Sequence, residues 1–259
     1  MKFDTLVNFR DLGDYETAEG RKIKSGRLLR SGEPVNLSDN DFNLLINKYN
    51  LKEIIDFRTT EEVTKTPDDK IGSANYHHFD VIVFESGEVD EDGIAPSLQN
   101  MMEKQAGKSA ADQLIFVYKF IIDSPVAQKK YRDFFDILVA NTEGAVLWHC
   151  FAGKDRTGLA AALILYLLGA TKETIFQDYL LTNAGRKEAN EAIIAGARAQ
   201  GASEEKLTEL KVMMGVHEDF LEAAAEHIKT KYGSLDAYIH DVLGITENDI
   251  MAFRENYLV

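Results

Sequence analysis

Residues 157–168 (TGLAAALILYLL) are apolar almost without interruption, and Gly169 closes them. A helix that is apolar all round has to be covered all round, so this segment reads as the interior helix of a layered domain. Just upstream, residues 144–149 (GAVLWH) form a short apolar run that reads as a buried strand, with Cys150 at its C-terminal end. Strand, loop and buried helix thus follow one another directly, which points to an α/β architecture.

The rest of the chain agrees with that class. Residues 27–31 and 52–58 read as strands separated by a helix starting at Ser38, with Asp41 three residues on as in a capping box. Residues 76–83 are rich enough in aromatic and β-branched types for another strand, and 85–107 turn acidic and irregular, as in an inserted loop. Helices are expected at 111–123 and from Pro125, where Ser124 can cap, then at 171–182, 184–200, 203–230, 234–243 and 246–257. Thr171, Ser203, Ser234 and Thr246 are the expected N-caps of that helical third. The expectation is one domain over 1–259: an α/β fold with a parallel-rich central sheet flanked by helices, C-terminal helices, and insert or lid segments near 85–123 and 184–230.

With 259 residues, 45% of them hydrophobic, the chain can bury one sizeable core. A net charge of −14 repels nucleic acid and anionic membranes, so an anionic substrate needs a locally positive site. The single cysteine rules out an intrachain disulfide and leaves a reducing compartment acceptable. The first 13 residues lack the apolar stretch of a signal peptide, and residues 159–168 are too few to span a bilayer. A cytoplasmic protein without stable membrane insertion is expected, with secretion by an unmarked route left open.

The chemistry concentrates in His149-Cys150-Phe151-Ala152-Gly153-Lys154-Asp155-Arg156-Thr157-Gly158, where five residues separate cysteine from arginine. Spacing alone is weak, since ten arginines in 259 residues place one at any fixed offset about once in 26 positions. Context strengthens it. A loop that leaves a strand and enters a helix turns backbone N–H groups inward and adds the positive end of the helix dipole, making an anion cradle. A thiol in such a cradle ionises more readily than a free one, which makes Cys150 the expected nucleophile. Arg156 can hold two phosphate oxygens at once. Phe151, Ala152, Gly153 and Lys154 would line the cradle, with a bound phosphate or sulfate expected there.

Thr157 can hydrogen-bond the sulfur, and His149 is expected to brace the loop from behind. Asp155, inside the loop, and Asp80, after a strand, compete as proton donor to the leaving oxygen; the residues alone leave this open. Arg10 and Arg58 read as arginines that fix loops. Tyr179 and Asn183, four apart, share a helix face that would back the phosphate loop. His77-His78 has no partner at metal-ligand spacing, so neither metal nor other cofactor is expected.

This segment resembles the active-site signature of the atypical bacterial and fungal tyrosine phosphatases. Asn8-Phe9-Arg10-Asp11-Leu12-Gly13, Gly26-Arg27-Leu28-Leu29-Arg30-Ser31-Gly32-Glu33, Leu37-Ser38, Ile55-Asp56-Phe57-Arg58 with Glu61, and Asp178-Tyr179-Leu180-Leu181-Thr182-Asn183 are similar to that family's blocks, in the same order. The resemblance implies a phosphatase-like fold with helical lid elements, no metal, a cysteinyl-phosphate intermediate and Asp155 as the acid, with Asp80 then a substrate-side residue or alternative acid. The chain departs from the pattern at Asp14, where the family tends to carry a second glycine, and in 85–107. The substrate would be a phosphorylated protein, tyrosine or dual-specificity, and no nucleic acid. Lys154 raises the alternative of a phospholipid headgroup or inositol phosphate. A rhodanese-like sulfurtransferase is disfavoured by the Cys-to-Arg spacing and Thr157, and a dead phosphate-binding module by the filled catalytic positions.

Overall fold

The computed structural model describes residues 2–83, 105 and 107–259. Strands β2 (Leu28–Ser31), β3 (Leu51–Asp56), β4 (Asn75–His78) and β5 (Ala145–His149) run parallel, and the two-residue β1 (Arg10–Asp11) pairs antiparallel with β2 at one edge. The order is β1-β2-β5-β3-β4, which puts β5, buried along its whole length, at the centre.

Side chains alternate across a strand, and the two faces build two cores. Leu28, Ile55, Val146 and Trp148 face one side. Leu29, Ile54, Ala145 and Leu147 face the other, joined by Leu6, Leu45 and Tyr49 from the N-terminal segment and from the turn of helix after α1 (Asp39–Asn43). The first side is the larger. It is covered by α3 (Ala110–Asp123), α4 (Pro125–Ala140), α5 (Asp155–Leu167) and, outside these, α6 (Lys172–Gly185), α9 (Glu218–Tyr232) and α11 (Glu247–Tyr257). Trp148 packs on Phe134 with ring centres 5.5 Å apart, and Phe134 meets the edge of Phe57 at 5.3 Å. The apolar helix is interior as expected: Ala160, Ala161, Ile164 and Leu165 of α5 are buried.

Ser38, Ser124, Thr171, Ser203, Ser234 and Thr246 each accept a backbone N–H from the first turn of their helix. Three expectations are corrected. The strand expected over 76–83 spans only Asn75–His78, because Asp80 turns the chain away: it accepts from Thr60 N at the start of α2 (Thr60–Lys65) and from Ile82 N. The helix expected over 203–230 is two, α8 (Glu204–Met214) and α9, since Asn183 takes both backbone groups of Val216 at 2.9 Å and holds the chain open there. The interior helix begins two residues before 157, placing Asp155 and Arg156 in its first turn rather than in the loop. Asp14 has a φ of 67°, in the left-handed region where glycine is the unstrained choice. Of the segments expected as insert or lid, 84–104 and 106 lie outside the described residues. Residues 110–123 form α3, which buries Tyr118 and Ile121, and 187–199 form α7.

Asp178 of α6 ties this layer to the sheet edge. It accepts from Arg30 Nη1 at 2.5 Å, Arg10 Nε at 3.1 Å and Tyr15 Oη at 3.2 Å. Burial, and then the nearness of Arg30, lower Arg10 to about 10, so the shared carboxylate is what holds the half-buried Arg10 beside the buried Arg30. Asp178→Asn leaves both without a counter-charge and is expected to cost about 3–5 kcal/mol of stability, read as a lower urea midpoint at unchanged slope. An unshifted midpoint would show the pair to be dispensable.

Candidate active site

The peptide plane decides how the loop after β5 works. In a trans peptide the C=O and the N–H of the next residue point opposite ways, so fixing a carbonyl outward turns the following amide inward. Four successive carbonyls are held from outside. Cys150 O faces His149 Nδ1 at 3.3 Å, and Phe151 O accepts from Glu33 N at 3.1 Å. Ala152 O accepts from Asn8 Nδ2 (3.2 Å) and Arg186 Nη1 (3.1 Å), while Gly153 O accepts from Asn8 Nδ2 (2.9 Å) and Arg30 Nη2 (3.0 Å). Among the described residues, no acceptor engages the backbone N–H groups of residues 151–156. They form an anion nest that runs into the N-terminus of α5. Gly153 is required: its φ is 67°, and a Cβ there would lie 2.2 Å from Ser31 O.

Cys150 opens this nest and is buried. Arg156 closes it. Its guanidinium is set by a two-pronged pair with Glu62, Nη1 to Oε2 at 2.6 Å and Nη2 to Oε1 at 2.9 Å, and Nη1 also reaches Phe57 O at 3.3 Å. Burial opposes the charge on Arg156, but the Cys150 sulfur and then Glu62 outweigh it and raise its pKa above the usual arginine value. Glu62 is desolvated too, yet Arg156 holds its carboxylate below its usual range. Sequence reasoning missed Glu62. Its visible role is local, as the third residue of α2 whose carboxylate caps Thr59 N at 2.7 Å, and that role alone accounts for a glutamate there.

The two candidate acids part company. Asp155 sits at the rim of the nest, its Oδ1 accepting from Tyr118 Oη at 2.8 Å and from Lys154 Nζ at 2.9 Å. Tyr118 in turn bonds Tyr179 Oη at 2.7 Å. Burial, then Asp155, push Tyr118 well above the ordinary phenol value, so it stays a donor. Asp80 has one oxygen on Thr60 and the other on Ile82 N, which makes it a cap of α2.

The whole chain, residues 1–259, matches the tyrosine phosphatase family. The chain belongs to that family. A Cupriavidus necator protein provisionally named a tyrosine-protein phosphatase is 32% identical over 260 residues, covering all of this chain and 88% of that one. The triple specificity protein phosphatase PtpB of Mycobacterium tuberculosis is 27% identical over 269 residues, with 95% of each chain covered. A tyrosine-protein phosphatase of Nostoc commune is 26% identical over 238 residues, covering 90% of this chain and 74% of its own. The protein is therefore a phosphatase of the protein-tyrosine or dual-specificity type, in agreement with the resemblance read from residues 149–158.

Around the phosphatase loop, the remaining expected residues divide. His149 is fully buried behind Cys150, its Nε2 2.9 Å from Asp68 Oδ2 in an ion-pair contact off the hydrogen-bonding line. Burial works against its charge, but Asp56 and then Asp68 prevail and raise its pKa. Asp56, Asp68 and His149 bring ligand atoms within 4.8 Å of one another, yet the Arg58 guanidinium already binds both carboxylates, along with Glu33. Arg58 therefore braces the strand end and does not face the nest. Two expectations are corrected. Thr157 Oγ1 is buried with no partner among the described residues, so its bond to the sulfur is not formed here. Asn183 bonds Val216 and so holds the α8–α9 turn rather than the loop; the turn's Gly215 O accepts from Lys154 Nζ at 3.2 Å. Phe151, by contrast, is 52% exposed.

Glu62→Gln tests the Arg156 clamp. Losing one oxyanion of a two-pronged pair frees the guanidinium, and kcat/KM for an aryl phosphate is expected to fall by about 10²-fold, with the melting temperature lowered only slightly. A change below twofold would mean that Arg156 is positioned by the loop alone.

Proposed function

We propose that the enzyme hydrolyses phosphate monoesters through a cysteinyl-phosphate on Cys150, with phosphorylated protein as the substrate. The observation that carries this is the inward amide nest of residues 151–156 between a buried cysteine and an arginine clamped by Glu62. Phosphate oxygens would accept from the nest and from Arg156, which neutralise the equatorial charge as it builds. The Cys150 sulfur attacks phosphorus, forming the S–P bond as the ester P–O bond breaks, and the leaving oxygen takes a proton from Asp155. Water then attacks the phosphorus, giving its proton to Asp155, and the S–P bond breaks to return the thiolate and free phosphate. Phe151, Ala152, Gly153 and Lys154 would bind the substrate, with the buried Thr157 hydroxyl as an unpaired donor beside the loop. His149 and Arg58 would support the loop from behind.

Asp155 is preferred over Asp80 because it adjoins Arg156 at the nest, whereas Asp80 caps α2 through Thr60 with one oxygen and accepts from Ile82 N with the other. A protein substrate is preferred over a phospholipid headgroup because Lys154, the residue that raised the lipid reading, is spent on Asp155 and Gly215 O. The net charge of −14 disfavours an anionic bilayer as well. Among the described residues no helix is long and apolar enough to cross a membrane. A cytoplasmic location, and one domain over the whole chain, complete the proposal: a lone thiol asks for no oxidising compartment.

Cys150→Ser is expected to abolish turnover of p-nitrophenyl phosphate while retaining phosphate binding by calorimetry, since the cradle survives the loss of its nucleophile. Near-normal turnover would defeat the mechanism. Asp155→Asn is expected to slow aryl phosphates with poor leaving groups more than those with good ones, steepening the dependence of kcat on leaving-group pKa. If Asp80→Asn produces that steepening instead, the acid is assigned to the wrong residue.

A further inference from the structure

Four arginines are buried in this fold: Arg30, Arg58, Arg156 and Arg186. The first three each rest on a carboxylate, Asp178 for Arg30, Asp56 with Asp68 and Glu33 for Arg58, and Glu62 for Arg156. Arg186 is 7% exposed and has no carboxylate within ion-pair distance among the described residues. Its acceptors are neutral: Ala152 O on Nη1 at 3.1 Å and Asn190 Oδ1 on Nε at 3.1 Å. No acceptor among the described residues engages Nη2. Burial lowers its pKa, and the negative groups whose fields offset this are Cys150, Asp155 and Glu33.

A buried cation without a counter-charge is expensive, and proteins seldom keep one. Holding the Ala152 carbonyl does not call for a charge, because the neutral Asn8 amide bonds the same oxygen and that of Gly153. What the position offers a cation is the flank of the anion nest. We infer that Arg186 is a second anion-binding arginine of the phosphatase site, whose charge is matched when an oxyanion occupies the loop. It acts through the field at the nest and takes no part in making or breaking bonds. The inference rests on the reading of residues 150–156 as the phosphate site, and it names Arg186 as a determinant of phosphate affinity that the cysteine-to-arginine signature does not contain.

The test compares wild type, Arg186→Gln and Arg186→Lys by two readouts: inhibition of p-nitrophenyl phosphate turnover by inorganic phosphate, and the rise in melting temperature that phosphate produces. Arg186→Gln is expected to melt no lower than wild type without phosphate, having lost an unmatched buried charge. Its phosphate inhibition constant is expected to rise about tenfold, its KM to rise more than its kcat falls, and its phosphate-induced stabilisation to shrink accordingly. Arg186→Lys keeps the charge and is expected to recover most of the affinity. An unchanged inhibition constant in the Gln variant overturns the inference, and so does a Lys variant as weak as the Gln variant, which would make Arg186 a geometric clamp on Ala152. Should the Gln variant not fold, the Lys variant decides alone: affinity within about threefold of wild type supports a charge effect, and a tenfold loss overturns it. A wild type neither inhibited nor stabilised by phosphate removes the phosphate-site reading together with this one, whereas a responsive wild type with an equally responsive Gln variant removes only the role of Arg186.

Discussion

Everything the site can do depends on which way four peptide planes face. Cys150 O is drawn outward by its neighbour His149, and carbonyls 151–153 by partners distant in the chain: Asn8 in the N-terminal segment, Arg30 on β2, Glu33 after it and Arg186 between α6 and α7. Because each plane is rigid, these contacts set the direction of the amides that a phosphate would meet. The nest is thus preorganised by the fold, and its donors need no reorientation when charge arrives. It is also why glycine stands at 153, where the backbone passes so close to Ser31 that any side chain would strike it.

Two of those partners, Arg30 and Glu33, are themselves fixed by ion pairs with buried charges. On one side of β5, Asp178 gathers Arg10 and Arg30; on the other, Arg58 gathers Asp56, Asp68 and Glu33, with His149 between them and the loop. Such networks contribute little net stability over a well-packed apolar alternative, but breaking one member leaves an unmatched charge in a dry place. Their value here is in direction: guanidinium groups offer donors in a fixed fork, so one arginine can satisfy a carboxylate and aim at a loop carbonyl together, as Arg30 does with Asp178 and Gly153 O. The site lies at the C-terminal ends of parallel strands, where chain ends from β2, β3 and β5 come together.

What could be read from residues alone was whatever is written locally. The buried strand, the loop and the apolar helix are contiguous, and the six expected N-caps are single residues acting on their own first turns. Glu62 escaped because its partner Arg156 is 94 residues away and its capping role already explains it. The two-residue β1 has too short a period to register, and the break between α8 and α9 is imposed by Asn183 from another helix. Asn183 and Thr157 were assigned contacts from helical spacing and from chemistry, neither of which specifies the partner across a tertiary gap. Asp14 carries a positive φ that no local pattern announces, and aspartate tolerates the left-handed region better than most residues.

The surroundings of Asp155 join the chemistry to the helical layer. Its backbone belongs to the first turn of α5, anchored in the core by Ala160, Ala161 and Ile164, so the carboxyl is carried by a rigid element. Its side chain, however, is held from two separate helical elements: Tyr118 reaches it from α3, and Lys154 binds it while also binding Gly215 O at the α8–α9 turn. Tyr118 is in turn set by Tyr179 of α6, which packs against Gly158 where a Cβ would meet its ring at 3.2 Å. Cys150 and Arg156 are thus positioned by β5 and α2, whereas the Asp155 carboxylate is held by Tyr118 of α3 and by Lys154, which the α8–α9 turn fixes in its turn.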